Sequence, residues 1–191
     1  MHRLLLVAAL TLASAPLPAA ERTVELTGFV GYRDGGELQG ADADPAPSWG
    51  VGACWWIRPD GWFEVFYDRQ VLDFDRFDLA VDYLQFGGGY EPPREGLRPY
   101  VTVAAGVGRY GADPGHVDDS TGFSGSIGAG FKLPISRRTL FRLEGRGWGM
   151  ITSSSTAVQC GPGCSVAFSG EGWWQFGVRA AFAFTPGGGS P

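Results

Sequence analysis

Few residues of this 191-residue chain are of types that could do chemistry, and their spacing limits what they can do. Hydrolysis of an ester or amide needs a nucleophile, a base and a group that orients the base, all within hydrogen-bond reach. The two histidines are His2, close to the N-terminus, and His116, which lies in a Gly/Asp-rich stretch with Ser120 nearby. Ser124 and Ser126 alternate with Phe123 and Ile127 and would face the other way. No catalytic set is expected. Cys160 and Cys164 bracket Gly161-Pro162-Gly163. In an oxidising compartment such a pair closes a small disulfide loop; a metal pair would need two more ligands, and two free thiols are the third reading. The disulfide is the expectation. Cys54, beside Trp55 in an alternating segment, is read as a small buried residue. Asp73-Phe74-Asp75 lacks the glycine and distal glutamate of a calcium loop. The glycines around Gly108 lack the lysine and following helix of a phosphate loop. Neither metal nor cofactor is expected.

The N-terminus has the layout of a secretory signal. Arg3 opens it, 4–12 is apolar, and a Ser/Pro/Ala-rich exit leads to Ala20, after which cleavage is expected. A membrane helix needs about 20 apolar residues, more than this segment has. Removing 1–20 takes away Arg3 and no acid, so 15 basic residues become 14 against 20 acidic ones, and the net charge moves from −5 to −6. That balance argues against nucleic acid as a partner. Glycine, at 31 of 191 residues, is far above its average of about 7%. The expected organisation is a signal peptide over 1–20, one β domain over 21–184 and a short Gly/Pro tail over 185–191.

Eight segments carry the period-two alternation of strands: 23–32, 48–57, 62–71, 79–90, 97–110, 121–133, 139–150 and 172–184. In the last, Trp174, Phe176, Val178, Ala180, Phe182 and Phe184 share one face, while Gln175, Gly177, Arg179, Ala181 and Ala183 share the other. The connections alternate in length. Long ones span 33–47, 72–78, 111–120 and 151–171; short ones span 58–61, 91–96 and 134–138. Outer-membrane barrels have short periplasmic turns and long outer loops. The spacing predicts an all-β fold: an eight-stranded, antiparallel, up-and-down transmembrane β-barrel.

A soluble barrel would show the same alternation with its faces reversed, and its polar face would be rich in Lys and Glu. Here the polar face is Gly, Ser, Thr and Ala with sparse charges, and Lys132 is the chain's one lysine. An eight-stranded ring is just wide enough for its side chains to fill. Glu25, Glu64, Arg142, Glu144, Arg146 and Arg179 are therefore expected to pair across the lumen and plug it, rather than form an ion path. Trp49, Trp148, Trp173 and Trp174 lie near the outer ends of their segments, and Trp55, Trp56 and Trp62 near the opposite ends. They are expected to form two aromatic girdles at the headgroup levels. Asp34, Glu37, Asp42, Asp44, Asp73, Asp75, Asp78, Asp113, Asp118 and Asp119 make the long loops acidic, while Arg58, Arg94, Arg98, Arg137 and Arg138 mark the short turns. The acidic loops read as solvated, mutually repelling segments, with divalent cations shared with lipid phosphates as the alternative.

The stretches YLQFGGGYEPPREGLRPYVTVAAGVGRY (83–110) and FSGSIGAGFKLPISRRTLFRLEGRGW (123–148) resemble the small Gram-negative outer-membrane β-barrel family, the porin-like, opacity- and adhesin-type barrels. The likeness covers essentially the whole chain after the leader. It implies residence in the outer membrane, contact with outer-membrane lipids and lipopolysaccharide, and insertion by the outer-membrane assembly machinery from an aromatic-ended last strand. Phe176, Val178, Phe182 and Phe184 resemble that signal, although 185–191 extends beyond it. The expectation is a monomeric, non-enzymatic barrel with a structural or surface-interaction role through its loops. The alternatives are passage of small apolar molecules through the barrel wall and a lipid A acyl hydrolase, which some such barrels are. A hydrolase would need its catalytic set on the outer wall, where the spacing does not place one.

Overall fold

The computed structural model describes residues 24–35, 37–38, 41–42, 44–74, 77–93, 96–112, 120–152, 156–159, 165–168 and 171–186. The leader, His116, Cys160, Cys164 and most of the tail lie outside the described residues. Among the described residues the chain forms strands and no helix. They are β1 (Val24–Arg33), β2 (Glu37–Leu38), β3 (Ala41–Asp42), β4 (Ala46–Arg58), β5 (Gly61–Phe74), β6 (Phe77–Tyr90), β7 (Arg98–Ala112), β8 (Ser120–Pro134), β9 (Thr139–Thr152), β10 (Thr156–Gln159), β11 (Ser165–Phe168) and β12 (Glu171–Phe184). Eight of these close into an antiparallel ring in the order β1-β12-β9-β8-β7-β6-β5-β4. The seam joins the first strand to the last, with Leu26 opposite Phe184 and Arg33 opposite Gly177. Closure pairs the backbone polar groups of every ring strand, the condition for standing in hydrocarbon. β2–β3 and β10–β11 are separate small hairpins carried by the connections β1–β4 and β9–β12.

All eight expected segments are ring strands, but most run further than their alternation suggested. The expected long loop at 72–78 is instead the end of a hairpin. Leu72 pairs with Leu79, Asp73 with Asp78 and Phe74 with Phe77. The reason is inside the barrel: Leu72 and Leu79 are fully buried in a cluster with Val81, Tyr83, Trp148, Met150 and Trp173. The acidic residues of 73–78 suggest a loop, yet Asp73 and Asp78 are exposed on paired backbone. The strict alternation of long and short connections therefore fails here, and the connections 91–97 and 113–119 are of equal length.

Outward positions are apolar and exposed, such as Ile127 (67%) and Trp174 (66%), while inward neighbours such as Ser124 and Gln175 are fully buried. From Trp174 to Phe184 the strand advances about 33 Å at about 3.3 Å per residue. With a tilt near 40° that is about 25 Å along the axis, the height of a membrane barrel's apolar band. Inside, the small ring brings backbones close to side-chain space. A Cβ on Gly106 would run into the Leu84 carbonyl oxygen.

The tryptophans correct the expected girdles. Trp49, Trp55 and Trp174 do stand on the outer wall, joined by Tyr32 and Tyr90. Trp62, Trp148 and Trp173 are 2%, 2% and 3% exposed and point into the lumen. Trp56 also points in, its indole N–H donating to Glu25. Period two decides this, because Trp62 shares a face with Glu64, Trp148 with Arg146, and Trp173 with Gln175. These indoles cap the two ends of the interior instead. Trp62 closes the turn end with Tyr100 and Cys54, and Trp148 and Trp173 close the loop end.

Candidate functional site

The inward faces of β1, β5, β9 and β12 place seven charged side chains in the middle and upper lumen. Glu144 is the hub. Its Oε1 accepts from Arg146 Nε at 2.6 Å and pairs with Arg179 Nε at 2.8 Å; its Oε2 lies 3.3 Å from Arg142 and accepts from Tyr100 at 2.7 Å. Glu64 accepts from Arg146 at 2.9 Å and from Thr102 at 2.7 Å, and lies 3.7 Å from Arg142. Towards the loops, Asp68 pairs with Arg33 at 3.1 Å and stands 3.9 Å from Arg179. All seven are buried. Aromatic faces complete their surroundings. Arg146 lies over Phe66, Arg179 over Phe29 and Phe66, and Arg142 over Tyr100.

A second level lies nearer the short turns. Lys132 pairs with Glu25 at 3.4 Å and with Glu91 at 3.1 Å, and Arg98 pairs with Glu91 at 3.2 Å. Lys132 also sits 4.1 Å from the Trp62 ring centre and 4.6 Å from that of Trp56. Of the six charges read from the sequence, five meet at mid-height; Glu25 belongs to this lower level. The sequence reading missed Arg33, Asp68, Glu91, Arg98 and Lys132. Asp68 and Lys132 have the right parity for the lumen; Arg33 falls in an expected connection that β1 absorbs, Glu91 directly follows β6, and Arg98 is the first residue of β7.

Above the centre a layer of amides and hydroxyls, reached by two of the arginines, crosses the bore. Gln85 donates to Ser124 and accepts from Ser126, while Arg146 donates to Ser126. Gln70, Gln175, Tyr83 and Arg33 form a second chain of bonds there. Ser124 is thus held by the Gln85 amide, and Ser126 by that amide and the Arg146 guanidinium. Cys54 is buried in the lumen, its sulfur 4.0 Å from Glu64 and 3.8 Å from Arg142. A cavity at this centre has a volume of about 20 Å³, room for one water-sized sphere. Among the described residues, these contacts tie the ring strands to one another across the bore.

On the outer wall near the loop end, Tyr67 donates to Asp82 at 2.6 Å and Arg69 pairs with it at 3.3 Å. Arg109 lies opposite Asp82 on the next strand. This is the level at which the apolar wall gives way to polar groups.

Comparison with solved structures decides what kind of barrel this is. Neisserial surface protein A superposes with a TM-score of 0.67 at 13% identity, over 84% of this chain and 96% of that one. The fold is that of a small outer-membrane β-barrel. The same barrel recurs in Ail, the attachment invasion locus protein of Yersinia pestis, with a TM-score of 0.55 at 11% identity over 87% and 99% of the two chains. The N-terminal barrel domain of Pseudomonas aeruginosa OprF gives 0.53 at 17% identity over 85% and 98%. No family model matches the sequence, and no curated protein matches it. The identities are low because the fold constrains face, size and register more than residue identity.

Proposed function

We propose that this outer-membrane barrel has a non-enzymatic role, structural or in surface interaction, exercised through its outer loops. The observation that supports the reading is the lumen: among the described residues, buried carboxylates, arginines and aromatics pack across it, which favours a role for the surface the loops present. The protein stands as a monomer among lipid and lipopolysaccharide, placed there by the outer-membrane assembly machinery. Passage of small apolar molecules through the wall would require a parted strand pair, and the described ring is paired all the way round.

Two measurements test this. In planar bilayers the purified protein is expected to give no sustained open-channel current; a steady conductance would refute the filled lumen. Replacing 153–170 by a short turn is expected to abolish whatever attachment to surfaces the expressing cells gain from the protein, while heat-modifiable gel mobility persists. Attachment unchanged in that variant, or a change in lipid A acylation that depends on the protein, would overturn the surface role.

A further inference from the structure

The outer wall is not evenly filled. Between β8 and β12 a groove of about 310 Å³ opens on the lipid side, near the loop ends of these strands. Its floor is backbone: Gly125 stands opposite Gly149, and Ile127 opposite Gly147. Phe123 and Ile127 of β8 make one bank, and Trp174 and Phe176 of β12 make the other. Those two rings lean across β9. A Cβ on Gly149 would come 2.7 Å from the Trp174 ring, and one on Gly147 would come 3.0 Å from that of Phe176. Ser126 also lines the groove, but its hydroxyl turns inward to Gln85.

The ring does not need this gap. A Cβ on Gly125 would meet nothing nearer than the Ala104 carbonyl oxygen at 3.7 Å, an ordinary contact, so a larger side chain fits there. From Phe123 to Ile127 the groove runs about 13 Å at about 3.3 Å per residue. That is close to the depth of one leaflet, about half of a 30 Å hydrocarbon core. The space has the form of one straight acyl chain, and its position at the loop ends puts that chain in the outer leaflet.

Polar groups of suitable charge stand at its upper end. Thr121, just above Phe123 on β8, is opposite Arg109, Arg109 is opposite Asp82, and Asp82 is opposite Arg69. Arg109 and Thr121 are exposed. Asp82 is shared by Arg69 and the Tyr67 hydroxyl, so among the described residues this row carries two positive charges and one negative. Asp73 and Asp78 lie four positions further out along β5 and β6 than Arg69 and Asp82, about 13 Å away. An anionic headgroup at the level of Arg109 complements the row, and a lipid whose chain fills the groove brings its headgroup to that level.

We propose that the groove between β8 and β12 is a binding site for one saturated acyl chain of lipid A, with a phosphate of the same molecule held at the level of Arg109. The site rests on the barrel's place among lipopolysaccharide, as proposed above, and is independent of what the loops contact.

The test is to fold the full chain into vesicles of dimyristoylphosphatidylcholine containing lipid A, release it in mild detergent and weigh the complexes by native mass spectrometry. One retained lipid A per barrel is expected, in preference to phosphatidylcholine. Gly125→Leu fills the floor and is expected to lose the lipid A. Gly28→Leu, exposed on β1 where an added Cβ also meets nothing, is expected to keep it. Arg109→Gln is expected to lower retention by about fivefold, the scale of one exposed ion pair. If Gly125→Leu does not fold, as judged by heat-modifiable mobility, Phe176→Ala removes one bank and gives the same comparison. Lipid A retained equally by the folded groove variant overturns the proposal, as does phosphatidylcholine retained as well as lipid A. So does a barrel dimer joined through this face in place of lipid, and retention unchanged in Arg109→Gln overturns the phosphate contact. A folded barrel that retains no lipid A refutes the groove alone, because the loop-replacement variant tests the surface role separately.

Discussion

Replacing Glu144 by glutamine keeps the size of the side chain and removes the charge that Arg142, Arg146 and Arg179 share. At about 3 Å and an effective dielectric near 20, each such contact is worth roughly 5 kcal/mol in gross attraction. Most of that gain offsets the desolvation of the groups, so the gross figures do not add up to a stability. What the substitution exposes is the other half of the balance: three buried arginines left with Glu64 and Asp68. Breaking a buried pair by removing one partner costs about 3–5 kcal/mol, and the glutamine amide makes matters worse by turning two hydrogens towards donors. The assay is urea unfolding of protein folded into lipid vesicles, followed by loss of heat-modifiable gel mobility. Glu144→Gln is expected to lower the unfolding free energy by about 3–5 kcal/mol, taken by linear extrapolation. Glu144→Gln with Arg179→Gln is expected to lose less than the sum of the two, with a coupling of about 0.5–3 kcal/mol. A loss below about 1 kcal/mol for Glu144→Gln alone would refute the reasoning, because a replaceable hub cannot be holding three buried cations.

Two further outcomes follow from the faces and from the tightness of the bore. Lipids carrying bromine on their chains are expected to quench Trp49, Trp55 and Trp174 but not the inward indoles; Trp174→Phe should reduce the quenched fraction and Trp148→Phe should leave it unchanged. Gly106→Ala is expected to destabilise the barrel by about 1–3 kcal/mol, the usual cost of overpacking, because the added methyl meets the Leu84 carbonyl; an unchanged urea midpoint would show that the wall yields there.

The barrel was legible in the sequence because its physics is repeated along every strand. Alternation at period two, near ten-residue length and turn residues such as Arg58-Pro59-Asp60-Gly61 gave the eight ring strands and their order. The acidic charge of 73–78 misled, because a polar outer face beyond the apolar band looks like a loop until Leu72 and Leu79 are seen packed under Trp148. The tryptophans misled for another reason. Height on the strand does not set the face a tryptophan takes; Trp148 stands two residues from Arg146 and shares its face. The mid-lumen cluster of Glu64, Arg142, Glu144, Arg146 and Arg179 was legible as a set, since each lies on the glycine-rich face. Which charge meets which depends on the stagger between strands that are distant in sequence, such as Arg146 against Glu64, and no local pattern encodes that. Arg33 and Arg98 were lost because strand ends are the least determined part of an alternation.

The most direct test of the arrangement is a spin-label scan of β12 in bilayers, from position 174 to 184, in a background with Cys54, Cys160 and Cys164 replaced by alanine. Labels at 176, 178, 180 and 182 should be readily reached by oxygen dissolved in the hydrocarbon and shielded from a water-borne nickel complex. Labels at 175, 179, 181 and 183 should be shielded from both, or should prevent folding where the bore has no room. Reversed accessibility, with Phe182 protected and Arg179 or Ala181 open to lipid or water, would contradict a wall that is apolar outside and salt-bridged within.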